Sequence, residues 1–510
     1  MQKIFRGSVF VPSLPGCYNH MRRHISDIFH LVMFIGVIGV FFYQVFLGKL
    51  PVPSDALVGV YHPWRDMYAG EFPNGVPFKN FLITDSVRQQ IPWRKIAMDQ
   101  WKEGNVPWWN PYSFSGTSLA GNIQAAVFYP FNVLFFLFSF PVAWTMLIIA
   151  QPLLAGIFLY MYLRYKQLAP VASLLGAITW SFSGFSVAWL TWGTIVQTAL
   201  WLPLVLLSLE KVMDGQKRWW LVLSGALSMQ LLAGHVQVAL YSIVFSCAYW
   251  LVRMRRQQKG QVQPYKDVWK AIGLFILLTW VQWWPLARSI ITSARVADPV
   301  WEKPGFFLPW AHLVQFVVPD FFGNPATLNY WGTWNWAELV GYVGIAPIVL
   351  ATVALFSNWK QARFWAWTIV LVLVFALPTP LSKLPYRLGI PIVSWLQPTR
   401  LMVLIDFSLA VLAALGVQAI LTKPRRMVMP LFITGSILMV AWGITIFTAT
   451  TALDGQVIQN YLVSRRNLVL PTAFFAATAT LLVISLRRTR IRRFVFILLV
   501  GLTILDLFRF

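Results

Sequence analysis

IFHLVMFIGVIGVFFYQVFLG, residues 28–48, is apolar almost throughout and follows the basic trio Arg22, Arg23 and His24. A helix needs about 20 apolar residues to cross the hydrocarbon core of a bilayer, so this run is long enough to span. No small-residue cleavage site follows it, and we read it as a retained first span rather than a removed signal peptide. The same test along the 510 residues places further spans at 141–164, 169–190, 194–211, 218–234, 236–252, 268–290, 338–357, 362–378, 400–421, 427–449, 467–486 and 493–508. The shorter run 127–140 is bracketed by Pro130 and Pro141 and reads as interfacial or re-entrant.

Composition agrees with this reading. With 58% hydrophobic and 11% charged residues there is too little polar surface to cover a water-soluble globule. The net charge of +24 could suggest nucleic acid, but such a binder carries its basic patch on a soluble fold. Here topology explains the sign, because cytoplasmic loops are enriched in Lys and Arg. With the N-terminus inside, the inner loops collect Lys3, Arg6, Arg22 and Arg23, Arg164 and Lys166, Lys211 to Arg218, Arg253 to Lys270, Lys360 and Arg363, Lys423 to Arg426, and Arg487 to Arg493. That is most of the 41 basic residues, against Asp27, Glu210, Asp214 and Asp267. The expected architecture is therefore an all-α polytopic membrane protein of about thirteen spans, one domain over 1–510. Its C-terminus is expected outside, with no soluble domain beyond the last span.

This topology leaves three long outer loops, at 49–126, 291–337 and 379–399. The first is unlike the rest of the chain. Asp55, Asp66, Glu71, Asp85, Asp99 and Glu103 sit there among Arg65, Lys79, Arg88, Arg94 and Lys95, with tryptophans interleaved. Asp55 lies just beyond the first span. Asp85 follows the apolar Phe81-Leu82-Ile83 and precedes Arg88, Gln89 and Gln90. A carboxylate in a partly apolar setting can take a proton from a hydroxyl, and a nearby Arg can hold a phosphate. The plain alternative for Asp85 is a helix cap.

Lys79, Asn80 and His62 could add phosphate or sugar contacts, and rings such as Trp93 suit a pyranose face. Asn110 and Gln124 could bond sugar hydroxyls, or else satisfy their own loop. His235 and Gln237 sit between two spans in Gly234-His235-Val236-Gln237, while Glu338 and Arg400 open the eighth and tenth spans. Ionisable groups near membrane depth are costly and are usually functional or paired. Arg400 is the candidate for a lipid phosphate, its plain alternative being a snorkelling anchor. Two Cys and no Cys/His cluster offer no metal-ligand spacing. If Asp55 and Asp85 hold a cation, oxygen ligands point to Mg or Mn.

Five blocks fall in order along the chain. They are Asp85-Ser86-Val87-Arg88-Gln89-Gln90-Ile91-Pro92-Trp93, Gly104 to Tyr112 with Gly116 to Gln124, Gly234 to Gln237, Glu338 with Gly341 to Gly344, and Pro398-Thr399-Arg400. Together they resemble the bacterial YfhO-like membrane protein family. Such proteins are similar to polytopic glycosyltransferases of the GT-C class. The resemblance implies a first external loop with short interfacial helices and acidic catalytic residues, at positions where Asp55 and Asp85 fall. It also implies a polyprenyl-phosphate-linked sugar donor, a cell-envelope glycopolymer or lipid acceptor, and the bacterial cytoplasmic membrane as location. Both carboxylates should then share one outward-facing cavity that opens sideways to lipid. The rivals are a lipid or oligosaccharide transporter or flippase and a non-catalytic envelope-assembly scaffold. A transporter predicts ionisable groups deep in the helices, where only Asp406 and Asp506 qualify.

Overall fold

The computed structural model describes residues 15–73, 83–255, 265–292, 300–422 and 428–509. Its helices of twelve residues or more are α1 (Pro15–Phe41), α2 (Ile91–Lys102), α3 (Phe140–Tyr165), α4 (Pro170–Ser181), α5 (Leu202–Met213), α6 (Trp219–Leu232), α7 (Val236–Arg255), α8 (Tyr265–Ile291), α9 (Ile345–Ser357), α10 (Trp359–Ala376), α11 (Met402–Thr422), α12 (Val428–Thr451), α13 (Gly455–Asn467), α14 (Val469–Arg487) and α15 (Arg492–Leu507). The sole strand pairing among the described residues is a two-residue antiparallel pair that sets Trp109 against Ser118 and Asn110 against Thr117.

Each of the thirteen expected stretches carries a helix, but the span count is corrected. Among the described residues nine helices are long and apolar enough to cross a membrane, or ten if α10 and the bent segment Pro380–Arg387 form one span. Helices α6, α9 and α15 run only 14, 13 and 16 residues, short of the roughly 20 a bilayer core requires. The stretch expected at 338–357 begins too early because 340–344 is apolar yet not helical. Hydropathy reports what is buried, not what is helical.

Three of the cations expected in inner loops, Arg164, Lys166 and Arg253, take part in neighbouring ion pairs. Arg164, at the end of α3, donates through Nε to Asp27 Oδ1 of α1 at 2.6 Å. Lys166 and Arg253 both pair with buried Glu210 of α5, at 2.8 and 3.1 Å, and Arg253 also reaches Asp214 at 3.0 Å. The Tyr249 hydroxyl donates to the same Glu210 carboxylate. The far ends of α3, α5 and α7 and the middle of α1 are thereby tied together. The basic stretches at 256–264 and 423–427 lie outside the described residues.

At the opposite end two spans break. Helix α4 stops at Ser181, and the chain continues through the short helices Gly184–Ala188 and Ile195–Ala199 before α5. Non-helical backbone at membrane depth is tolerated only when protein surrounds it and supplies its hydrogen bonds. Almost all of residues 182–201 are buried, and Gly184 N donates to Tyr342 O at 2.6 Å. The two deep carboxylates serve the same purpose. Asp406 Oδ2 accepts from Phe185 N at 3.3 Å, at the start of Gly184–Ala188. Asp506 Oδ2 accepts from Ile345 N at 2.8 Å, at the start of α9, and from the Tyr342 hydroxyl at 2.6 Å. A carboxylate at a helix N-terminus satisfies otherwise orphaned donors. Asp406 and Asp506 therefore stand at mended helix breaks.

Helices α9 and α11 pack closely at Gly416, where a Cβ would lie 1.9 Å from the Leu350 carbonyl oxygen. Gly416→Val is expected to force these backbones apart and cost about 1–3 kcal/mol, the usual range for overpacking. Gly443→Val, where a Cβ meets nothing within 4 Å, serves as control. Melting midpoints of the purified protein compare the two; equal midpoints would contradict this packing.

Candidate functional site

Four of the candidate residues, far apart in sequence, meet. Arg400 stands in the turn Pro398–Leu401 ahead of α11, Glu338 in the short helix Trp336–Leu339, and His235 and Gln237 at the start of α7. Arg400 donates to Glu338 Oε1 through Nη2 at 2.9 Å and Nε at 3.2 Å. Its Nη1 reaches Gln237 Oε1 at 3.2 Å and lies 3.3 Å from His235 Nε2. The Thr399 hydroxyl donates to Glu338 Oε2 at 3.2 Å. The guanidinium also lies 5.6 Å from the Trp189 ring centroid, within cation–π range. Thr399 belongs to the Pro398-Thr399-Arg400 block, whereas Trp189 lies in none of the sequence blocks.

Burial sets the electrostatics. The Glu338 side chain is 6% exposed and that of Arg400 24%, so the pair sits where an unpaired charge is expensive. Burial and the neighbouring Arg400 cation hold the His235 imidazole well below its usual range. His235 Nδ1 accepts from Val238 N at 3.2 Å. A neutral ring has a single acceptor nitrogen. It can therefore satisfy Val238 or Arg400 but not both, and Gln237 is the other acceptor on Nη1.

An apolar groove runs up to this cluster. A cavity of about 1030 Å3 lies between α7, α10, the segment Pro380–Arg387 and residues 393–404, walled by Leu240, Val244, Phe245, Leu371, Phe375 and Leu401 among others. Along α7 it extends from Leu240 to Arg255, about 22 Å at 1.5 Å per residue. Arg255 and Arg363 lie at its basic end and Tyr241, Tyr386 and Pro398 at the other. Gln237 joins groove to cluster, because its Nε2 donates to the Tyr241 hydroxyl at 2.8 Å and to Gln397 O at 2.6 Å.

The first-loop candidates lie elsewhere. Asp55 is exposed at the first residue of the helix Asp55–Val60. Asp85 is half-buried, accepts weakly from Gln89 Nε2 at 3.4 Å, and makes no side-chain cap although it precedes the π-helical turn Ser86–Gln90. Neither lines the groove, so the expectation that both carboxylates share a cavity open to lipid is not met there. Arg88 is exposed, 5.3 Å from the Tyr61 ring centroid. Trp93 packs against the core. Gln124 Oε1 accepts from Gln90 Nε2 at 2.8 Å. Asn110 holds its own turn, with Nδ2 donating to Ser113 Oγ at 3.1 Å and Oδ1 accepting from Tyr112 N at 3.0 Å. His62 pairs with Asp66 at 2.6 Å on the surface. Lys79 and Asn80 lie outside the described residues.

The loop nevertheless abuts the cluster. Gly234, with φ +108, would place a Cβ 3.1 Å from Ile123 O and from the Ala126 Cβ. This close approach, in a conformation that favours glycine, sets the Gln124 turn against the residue preceding His235. Among the described residues no three His, Cys, Asp or Glu side chains gather as a metal centre would require.

The chain belongs to the family described as bacterial membrane protein YfhO, whose model matches residues 108–509. No curated protein matches it. Among solved structures it is similar to ArnT from Cupriavidus metallidurans bound to undecaprenyl phosphate, with 12% identity over 82% of this chain and 70% of that one and a TM-score of 0.43. The same protein in the apo state matches with a TM-score of 0.41 at the same identity and coverage.

Two outcomes follow from the cluster. Glu338→Ala strands the Arg400 charge and is expected to cost about 3 kcal/mol, whereas Glu338→Ala with Arg400→Leu should cost less than the single change. Melting midpoints of the two variants decide it. His235 is neutral in the folded protein, while an unfolded chain takes up a proton below about pH 6.5. Its stabilising contribution is thus complete above that pH and falls as pH drops below it, until the depressed folded value is reached. Melting midpoints between pH 7.5 and 5.5 should fall less steeply in His235→Gln than in the wild type; parallel curves would contradict this assignment.

Proposed function

We propose that this YfhO-family protein is a membrane glycosyltransferase, moving a sugar from a polyprenyl-phosphate-linked donor to a cell-envelope acceptor on the outer face. What carries the reading is the junction of an apolar groove, about three quarters as long as a bilayer core is deep, with a buried polar cluster holding an arginine. An isoprenoid tail would lie in the groove and its phosphate at the Tyr241 and Pro398 end, beside the exposed quarter of Arg400. The helix ends tied by Arg164, Lys166 and Arg253, on the other side, face the cytoplasm, as the enrichment of cytoplasmic loops in Lys and Arg suggests. The reaction centre is then external.

In this mechanism Asp85 takes the proton of the acceptor hydroxyl or orients it, and Asp55 assists. The hydroxyl oxygen attacks the anomeric carbon as the bond from that carbon to the phosphate oxygen breaks. The electron pair leaves with the lipid phosphate, whose charge Arg400, Arg88 or Lys79 stabilises. Arg400 is already committed to Glu338, so the phosphate shares this cation rather than claiming it.

The test is mass spectrometry of lipid that co-purifies with the protein, together with sugar transfer in membranes supplied with lipid-linked donor. The wild type should carry a polyprenyl phosphate, and Val244→Trp, which fills the groove, should lose it. Asp85→Asn should keep the lipid and the protein level but lose transfer by about a hundredfold or more, the scale of general-base catalysis. Ordinary phospholipid alone in every sample would overturn the donor assignment. Unchanged transfer in Asp85→Asn would remove that residue from the mechanism, and retained lipid without transfer in the wild type would favour a carrier of lipid instead.

A further inference from the structure

Arg94, on α2 in the first loop, is 1% exposed. Its Nη1 donates to Asn132 Oδ1 at 2.5 Å. Asn132 is itself held in place, its amide donating to the carbonyls of Ala126 and Val127 at 2.8 and 3.2 Å. The guanidinium Nε has no partner. Among the described residues no carboxylate pairs with it, and the neighbour that acts on its charge is the Tyr129 phenol. Burial brings the guanidinium down to about 10, which leaves it cationic at neutral pH.

Around this cation several buried polar atoms are poorly satisfied. The Tyr129 hydroxyl lies within hydrogen-bonding reach of Trp201 and Gln197, although none of Tyr129 Oη, Gln197 Oε1 and Trp201 Nε1 makes a hydrogen bond of ordinary length and angle. One turn before Arg94 on the same helical face, Gln90 is buried with its Oε1 unpaired. The turn that brings Gln90 there is π-helical, an irregularity that recurs at functional sites. Buried charges are ordinarily paired, and buried polar atoms ordinarily bonded. Water could supply the missing hydrogen bonds but not the missing charge.

The available donors are a guanidinium N–H, a phenol and an indole N–H, which is the complement of an oxyanion. We infer that Arg94, Tyr129 and Trp201 form an anion site that takes a phosphate or carboxylate group, distinct from the Arg400 cluster. Asn132 fixes one arm of the guanidinium, leaving the Nε edge for the ligand. Gln197 and Gln90 offer acceptors for hydroxyls that such a ligand carries. This site stands whether or not the transferase reading does.

The experiment uses the full-length protein in detergent, in chloride buffer at constant ionic strength. Inorganic phosphate, glucuronate and farnesyl phosphate are titrated separately and the melting midpoint followed. At least one should raise the midpoint saturably in the wild type. Arg94→Gln should weaken that response at least tenfold and Tyr129→Phe about tenfold, as expected for hydrogen bonds to a charged group. A response to phosphate or glucuronate identifies a water-soluble source, and a response to farnesyl phosphate alone identifies a lipid headgroup. Three results would each overturn the site: no response beyond that to chloride, an undiminished response in Arg94→Gln, or a farnesyl phosphate response that persists in that variant and so belongs to the Arg400 groove. Should Arg94→Gln fail to fold, Tyr129→Phe decides alone. It removes a hydroxyl that makes no hydrogen bond of ordinary length and angle in the free protein, and an unchanged response there overturns the site equally.

Discussion

Within a bilayer no water is available to peptide N–H and C=O groups, so each must be satisfied by the protein itself. Most of this chain meets that demand with long helices. The region that carries the candidate chemistry does not, and its architecture follows from the exception. Residues 182–201 and 340–344 leave the helical path, pair with each other through Gly184 N and Tyr342 O, and draw Asp406 and Asp506 against new helix N-termini. The cost of breaking two spans is met by carboxylates at membrane depth. These same acids, read from sequence alone, were too few to argue for transport.

The broken helices make room at one end of the bundle for groups that could not otherwise be buried. Arg400 and Glu338 offset each other's charge, and Gln237, Thr399 and Trp189 take up the remaining bonding capacity around them. A buried ion pair of this kind is weak evidence for stability, because desolvation offsets most of its attraction. Its position beside the mouth of an apolar groove gives it a different significance. Polar groups at the edge of an otherwise apolar channel fix which end of an amphiphile stops where.

Much of this was legible in the sequence, and the parts that were not failed for physical reasons. Apolar runs located every helix that crosses or nearly crosses, and Lys and Arg marked the ends tied by Glu210. His235, Gln237, Glu338 and Arg400 were recognisable singly, because polar side chains at the edges of apolar runs need partners. That they were one another's partners was not, since nothing local encodes a contact across 163 positions. The lengths of α6 and α9 were overestimated because buried irregular backbone is as apolar as helix. Asp55 and Asp85 stood out by charge within an apolar chain, yet charge density in a loop says nothing of which way each carboxylate turns. Arg94 was one cation among several in that loop, and only its burial sets it apart.

The ion cluster joins segments made at very different times. His235 and Gln237 leave the ribosome 165 and 163 residues ahead of Arg400, an interval on the order of ten seconds at ordinary elongation rates. Throughout that interval the start of α7 must be held in the membrane with Gln237 Oε1 and the Nε2 edge of His235 still without Arg400, and Glu338 joins it still lacking its counterion. The last third of the polypeptide thus completes the site as well as extending the bundle. A nascent chain stalled before residue 400 would have most of its helices and none of this junction.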